Sequence, residues 1–163
     1  MNESERMALI LFREALEAEN ARDLERAKRK LDKMMELTRK KHPELYFEAC
    51  FRLADVFIQE DNYRGAVKCA LRAIYLAPSR ELYLRGIKML GDVLFMMKRE
   101  GRLRELGENM EATLGLIKND EELHRFASAL VRLARGEEVA ENFSVKEFGE
   151  VIEKLRESRR EPF

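Results

Sequence analysis

Between Leu82 and Met97 only Arg85, Gly86, Lys88, Gly91 and Asp92 interrupt a run of apolar residues. A helix with that surface must touch neighbours on several sides, so it belongs to the inside of a protein. Leu45–Ile58 and Met7–Leu16 have the same character. The segments between them are narrower. In Asp23–Lys41, Leu24, Ala27, Leu31, Met34, Met35 and Thr38 share one helical face, and the opposite face is charged. Tyr63–Leu76 repeats this, with Ala66, Val67, Ala70, Ala73 and Ile74 against Arg64, Lys68 and Arg72. Wide helices therefore alternate with narrow ones. Short loops between them imply antiparallel neighbours. The expected solution stacks hairpins, wide helices inside and narrow ones outside.

Composition supports helices throughout. Val, Ile and Thr together number 15 of 163 residues, too few to cover pleated sheets. Leu, Ala, Glu, Lys and Arg, the good helix formers, dominate. Charged residues at 38% and hydrophobic residues at 45%, with a net charge of zero, exclude a disordered chain. High Glu and Arg beside a single Gln resembles thermophile composition. Punctuation sets eight segments: Ser4–Ala21, Asp23–Lys41, Pro43–Glu60, Tyr63–Leu76, Ser79–Glu100, Arg102–Ile117, Glu121–Arg135 and Ser144–Glu157. Pro43 and Pro78 mark boundaries because the residue before proline leaves the α region. Asp120 is a cap, Ser144-x-x-Glu147 reads as a capping box, and 158–163 is expected to fray. Glu137–Phe143 is the one expected long loop.

Residues 47–80 carry a further pattern. Cys50-x-x-Leu53-Ala54-x-x-Phe57 is followed by Asp61-Asn62-Tyr63, Ala66, Ala70, Ala73 and Pro78. This resembles a tetratricopeptide repeat, a helix pair of about 34 residues with small residues at the close approach. Leu-Ala stands where that family prefers Leu-Gly, and Cys50 where it prefers Trp. Ile87-x-x-Leu90-Gly91-x-x-Leu94 and the Arg22-Asp23-Leu24 corner extend the likeness weakly over about 7–117. The resemblance implies an all-α, right-handed stack of about four antiparallel hairpins in one domain, 1–163. The hairpins span about 4–42, 43–78 and 79–117, with a C-terminal capping hairpin over 119–158. Val145, Phe148, Ile152 and Leu155 form the packing stripe of the cap.

Nothing points to catalysis, and no cofactor or metal is expected. His42 and His124 have no ligand-spaced Cys, Asp or Glu. Each reads as a bland histidine, His42 exposed at a helix end. No phosphate loop or nucleophile elbow occurs. Cys50 and Cys69 read as buried free thiols, with a disulfide between adjacent helices as the alternative. No apolar run is long enough to span a membrane, and no signal peptide opens the chain, so the expected location is cytoplasmic.

The resemblance implies a protein–protein interaction scaffold whose first helices line a concave groove for a partner peptide or helix. Helical spacing places Phe12, with Leu9 and Leu16, in that groove, then Glu48, Phe51, Asp55 and Ile58, then Arg85, Lys88, Asp92, Phe95 and Met96. The last helix or a second copy of the chain is the competing occupant, which makes a homodimer an alternative. Relatives that bind chaperone tails hold a carboxylate with Lys, Asn and Arg. Here Phe51 and Asp55 stand where Lys and Asn are expected, so that chemistry is not expected. The second candidate is a basic outer stripe, Arg22, Arg26, Arg29, Lys33 and Lys40, within a sector of about 60°. Arg64, Lys68 and Arg72 extend it. This makes a nucleic-acid-binding accessory protein the alternative function. Glu25, Asp32 and Glu36 flank the stripe, no aromatic residue interleaves with it, and the pI is about 6.8.

Overall fold

The computed structural model describes residues 2–160, of which 158–160 are described as backbone only. Among these residues eight α-helices and one 3-10 turn follow in order: α1 (Glu3–Asn20), α2 (Leu24–Thr38), α3 (Pro43–Gln59), α4 (Tyr63–Tyr75), α5 (Arg80–Arg99), the turn (Leu103–Gly107), α6 (Glu111–Leu116), α7 (Glu121–Ala134) and α8 (Lys146–Arg160). Consecutive helices pack as antiparallel pairs. None is long and apolar enough to cross a membrane.

Local chemistry sets the helix starts. The side chains of Asn2, Asp23, Asn62, Ser79 and Asp120 each accept a hydrogen bond from the backbone N–H three residues on. Each satisfies one of the donors a helix leaves orphaned at its first turn. The Ser144 capping box does not set the start of α8, which begins at Lys146. There the Val145 N–H donates instead to Glu122 Oε1 at 3.1 Å, a tie to α7. The helix continues past Glu157 to Arg160, and 161–163 lie outside the described residues.

The helix ends share one device. α1, α3, α5 and α7 all close through a residue in the left-handed region: Arg22 (φ 62°), Asp61 (67°), Gly101 (70°) and Gly136 (84°). In each case the next N–H reaches back to the carbonyl five residues earlier: Asp23 to Ala18, Asn62 to Phe57, Arg102 to Met97 and Glu137 to Arg132, at 2.8–3.0 Å. This double-bonded closure absorbs the last carbonyls and turns the chain sharply. The same corner at four places is the structural repeat of the molecule.

Small residues let the helices approach. Ala54, Ala66, Ala70 and Ala73 are buried where α3 and α4 meet, around Tyr63 and Cys50. A Cβ at Gly86 would lie 2.7 Å from Ile74 Cγ1 and 3.3 Å from the Phe47 ring, so α5 can cross α3 and α4 this closely only with glycine there.

Three expectations need correction. The segment Arg102–Ile117 is not one helix. It breaks into the 3-10 turn and the short α6, because Gly107 packs against Arg135 and Asn109 takes a left-handed φ of 62°. α4 is not a narrow outer helix. It buries Cys69 and Leu71 as well as its predicted stripe, since α5, α6 and α7 pack on it besides α3. α1, expected as an inner helix, ends the stack and leaves Met7 at 44% and Leu9 at 39% exposure.

The C-terminal pair closes the other end. Phe148 stacks with Phe126 at 4.6 Å and touches Phe143 and Tyr83 at 5.6 and 6.1 Å. The Tyr83 hydroxyl donates to Asp120 Oδ2 at 2.6 Å. The predicted stripe Phe148, Ile152 and Leu155 is buried, with Val145 partly so.

Candidate functional site

α5 and α8 lie side by side and leave an open cleft of about 620 Å³ between them. Its floor is Leu84, Ile87, Gly91, Phe95 and Val151. The rims carry Arg85, Lys88, Lys146 and Lys154 together with Asp92, Glu147 and Glu150. Gly91 keeps the two helices close, since a Cβ there would sit 3.2 Å from Val151 Cγ2. The Lys154 ammonium lies 4.4 Å over the Phe95 ring. At that distance the ring face attracts the cation.

Four of the ten groove residues named from sequence line this cleft: Arg85, Lys88, Asp92 and Phe95. Glu48 joins through Arg85, whose guanidinium pairs with it at 3.4 Å and lies 6.0 Å over Phe47. Phe12, Ile58 and Met96 are half-buried and Asp55 is exposed, all outside the cleft. Phe51 is a correction. It is 5% exposed and packs on Phe47 with ring centroids 5.0 Å apart, so it is core and offers no surface anchor. The α8 wall was missed as a lining. The signal was the face of Ser144–Glu157 opposite its packing stripe, where Glu147, Glu150 and Lys154 recur at helical spacing.

Between α1 and α3, Glu19 is a buried carboxylate. Arg52 holds it with two bonds of 2.7 Å, and Gln59 donates a third at 2.8 Å. Burial pushes its pKa up, but the hydrogen bonds from Arg52 and Gln59 outweigh that and leave it below the usual carboxylate value.

The outer stripe does not stay together. Arg22 is a corner residue, and Arg26, Arg29 and Lys33 are exposed along α2, outside the clefts described here. Arg64 is engaged, its Nε donating to the Glu105 carbonyl at 2.9 Å. Lys40, Lys68 and Arg72 instead meet Arg39 and Lys41, which sequence reasoning passed over, around two depressions between α2, α4 and α6.

Cys50 and Cys69 are free, and burial pushes their thiols up to about 11 and about 12. Burial thus disfavours the nucleophilic thiolate at both positions. His42 is half-buried rather than exposed, with Nε2 2.9 Å from Ser4 Oγ. Among the described residues no three His, Cys, Asp or Glu side chains gather as metal ligands would. No family model matches the chain, and neither a curated protein nor a solved structure matches it.

Proposed function

We propose that the hairpins form a right-handed, tetratricopeptide-like stack, and that the chain is a non-enzymatic interaction module. It seats a segment of a partner protein in the α5–α8 cleft. The cleft carries this reading, because its apolar floor runs along a helix between charged rims of both signs. From Leu84 to Phe95 that floor is about 16 Å long at 1.5 Å per residue. It matches three turns of a docked helix, whose backbone groups are already paired. Rims of both signs fix the direction of the bound segment by charge complementarity. The repeated left-handed corners and the buried Ala54, Ala66 and Ala73 support the stacked-repeat part of the proposal.

A photo-crosslinking amino acid placed at Lys88 tests it in living cells, with Lys118, exposed and remote in sequence from the cleft, as control. A discrete protein adduct at position 88 that is absent at 118, and lost on adding Asp92→Lys, supports the cleft. Equal adducts at both positions, or adducts indifferent to Asp92→Lys, refute it. An adduct of the chain with itself replaces the partner by a second copy.

A further inference from the structure

The face made by α2, α4 and α6 holds a separate feature. An open trench of about 750 Å³ lies between α2 and α4, lined by Asp32, Glu36, Arg39, Lys40, Lys41 and Arg72 among others. A slot of about 70 Å³ continues it toward α6. The slot shares Arg39 and Arg72, adds Lys68, and is walled by Tyr75, Leu76 and Leu116. Leu116 is 60% exposed, the most exposed large apolar side chain among the described residues.

Five cations thus meet two carboxylates in a chain whose net charge is zero, so positive charge is concentrated here. Elsewhere several arginines are tied down: Arg52 to Glu19, Arg102 to Asp61 and Glu105, Arg125 to Glu141, Arg132 to Glu137. Among the described residues Arg39, Lys40, Lys41, Lys68 and Arg72 make no side-chain hydrogen bond or ion pair. The C-terminal ends of α2 and α4 favour cations at 39–41 and at Arg72 through their dipoles, but Lys68 projects from the middle of α4 and has no such reason to join them. The lining also selects between anionic partners. An extended peptide presents backbone donors and acceptors that need partners. The only neutral hydroxyls or amides along this lining, apart from the tyrosines, are Ser4 and Thr113. A nucleic-acid single strand asks for cations beside an aromatic or apolar surface on which bases stack.

We propose that this trench binds single-stranded nucleic acid, with phosphates on Arg39, Lys68 and Arg72 and a base against Tyr75 and Leu116. The site takes Lys40, Lys68 and Arg72 from the predicted stripe but not Arg22, Arg26, Arg29 or Lys33, and it shares no residue with the α5–α8 cleft.

Fluorescence anisotropy with labelled oligouridylate and, separately, labelled oligoglutamate tests it on the full chain. Each neutralised phosphate of a single strand adds about −0.7 to the salt slope. Phosphates on Arg39, Lys68 and Arg72 then give a slope near about −2.1, or about 20-fold weaker binding between about 50 and about 200 mM salt. Lys68→Gln with Arg72→Gln should weaken binding at least about tenfold and make the slope shallower by about 1.4. Arg26→Gln with Lys33→Gln removes the same charge from the exposed stripe and should change affinity less than about twofold. Tyr75→Leu should lose about tenfold with the slope unchanged. Equal losses in the two double variants would reduce the effect to general attraction and overturn the site. So would no wild-type binding at low salt, or an unchanged Tyr75→Leu affinity. Oligoglutamate binding as tight as oligouridylate overturns it in favour of an acidic protein. Circular-dichroism melts on each variant confirm that the fold is retained.

Discussion

Replacing Arg52 by Met should destabilise the chain and reverse part of its pH dependence. The side chain of Glu19 is 6% exposed and is held by two 2.7 Å bonds from Arg52. Breaking a buried pair by removing one partner costs about 3–5 kcal/mol. Arg52 is itself 34% exposed, so water reaches part of the vacated position, and Gln59 keeps its 2.8 Å bond. The expected loss at neutral pH is therefore about 2 kcal/mol. Methionine keeps most of the aliphatic stem, so the loss reports the charge and hydrogen bonds rather than a cavity. In the wild type the folded pKa of Glu19 lies below 4.5. The stability it contributes is present above the unfolded value and is lost as pH falls through the folded one. In Arg52→Met burial dominates, and the folded value rises above the unfolded one. The sign then inverts, and the deficit shrinks as pH falls from 7 toward 5. Urea unfolding of both chains at pH 7 and pH 5 reads this directly. A deficit under about 0.5 kcal/mol at neutral pH, or one that does not shrink at pH 5, refutes the reasoning.

Two further substitutions probe the core and the corners. Phe51→Ala should lose about 3–5 kcal/mol in denaturant unfolding, whereas half-buried Ile58→Ala should lose far less; equal small losses would return Phe51 to the surface. Arg22→Gly relieves a left-handed residue and should raise the melting temperature by about 2–4 °C, while a lower value would show that the Arg22 side chain supports the corner.

The sequence made the helix boundaries legible wherever a backbone rule operates locally. Pro43, the caps Asp120 and Ser79, and the corners at Gly101 and Gly136 fall where the residue types require. Arg102–Ile117 misled because its apolar spacing suits a helix. What breaks it is Gly107 meeting Arg135, a contact with α7 that no local pattern encodes. Phe51 lies four residues after Phe47, so periodicity puts both on one face but does not say which face meets the neighbouring hairpin. The α5–α8 cleft was half visible. Its α5 residues follow from helical spacing, but the α8 wall depends on docking through Phe148 and Tyr83. The basic trench was hidden because Arg39 and Lys41 lie just past the end of α2, where the helical wheel no longer predicts direction.

The break in the third hairpin bears on how the chain acquires its shape. From α1 through α5 each helix packs mainly on its sequence neighbour, so every step closes a short loop. Contacts of that kind form quickly. Beyond Arg99 the pairing becomes distant: α7 rests on the 3-10 turn, and α8 returns to α5 through Phe148 on Tyr83. Docking of α8 on α5 is thus the least local step of the fold. The cleft that it walls exists only while α8 is docked, so hydrogen exchange of α8 amides faster than those of α3 and α4 would mark the cleft as opening without unfolding of the stack.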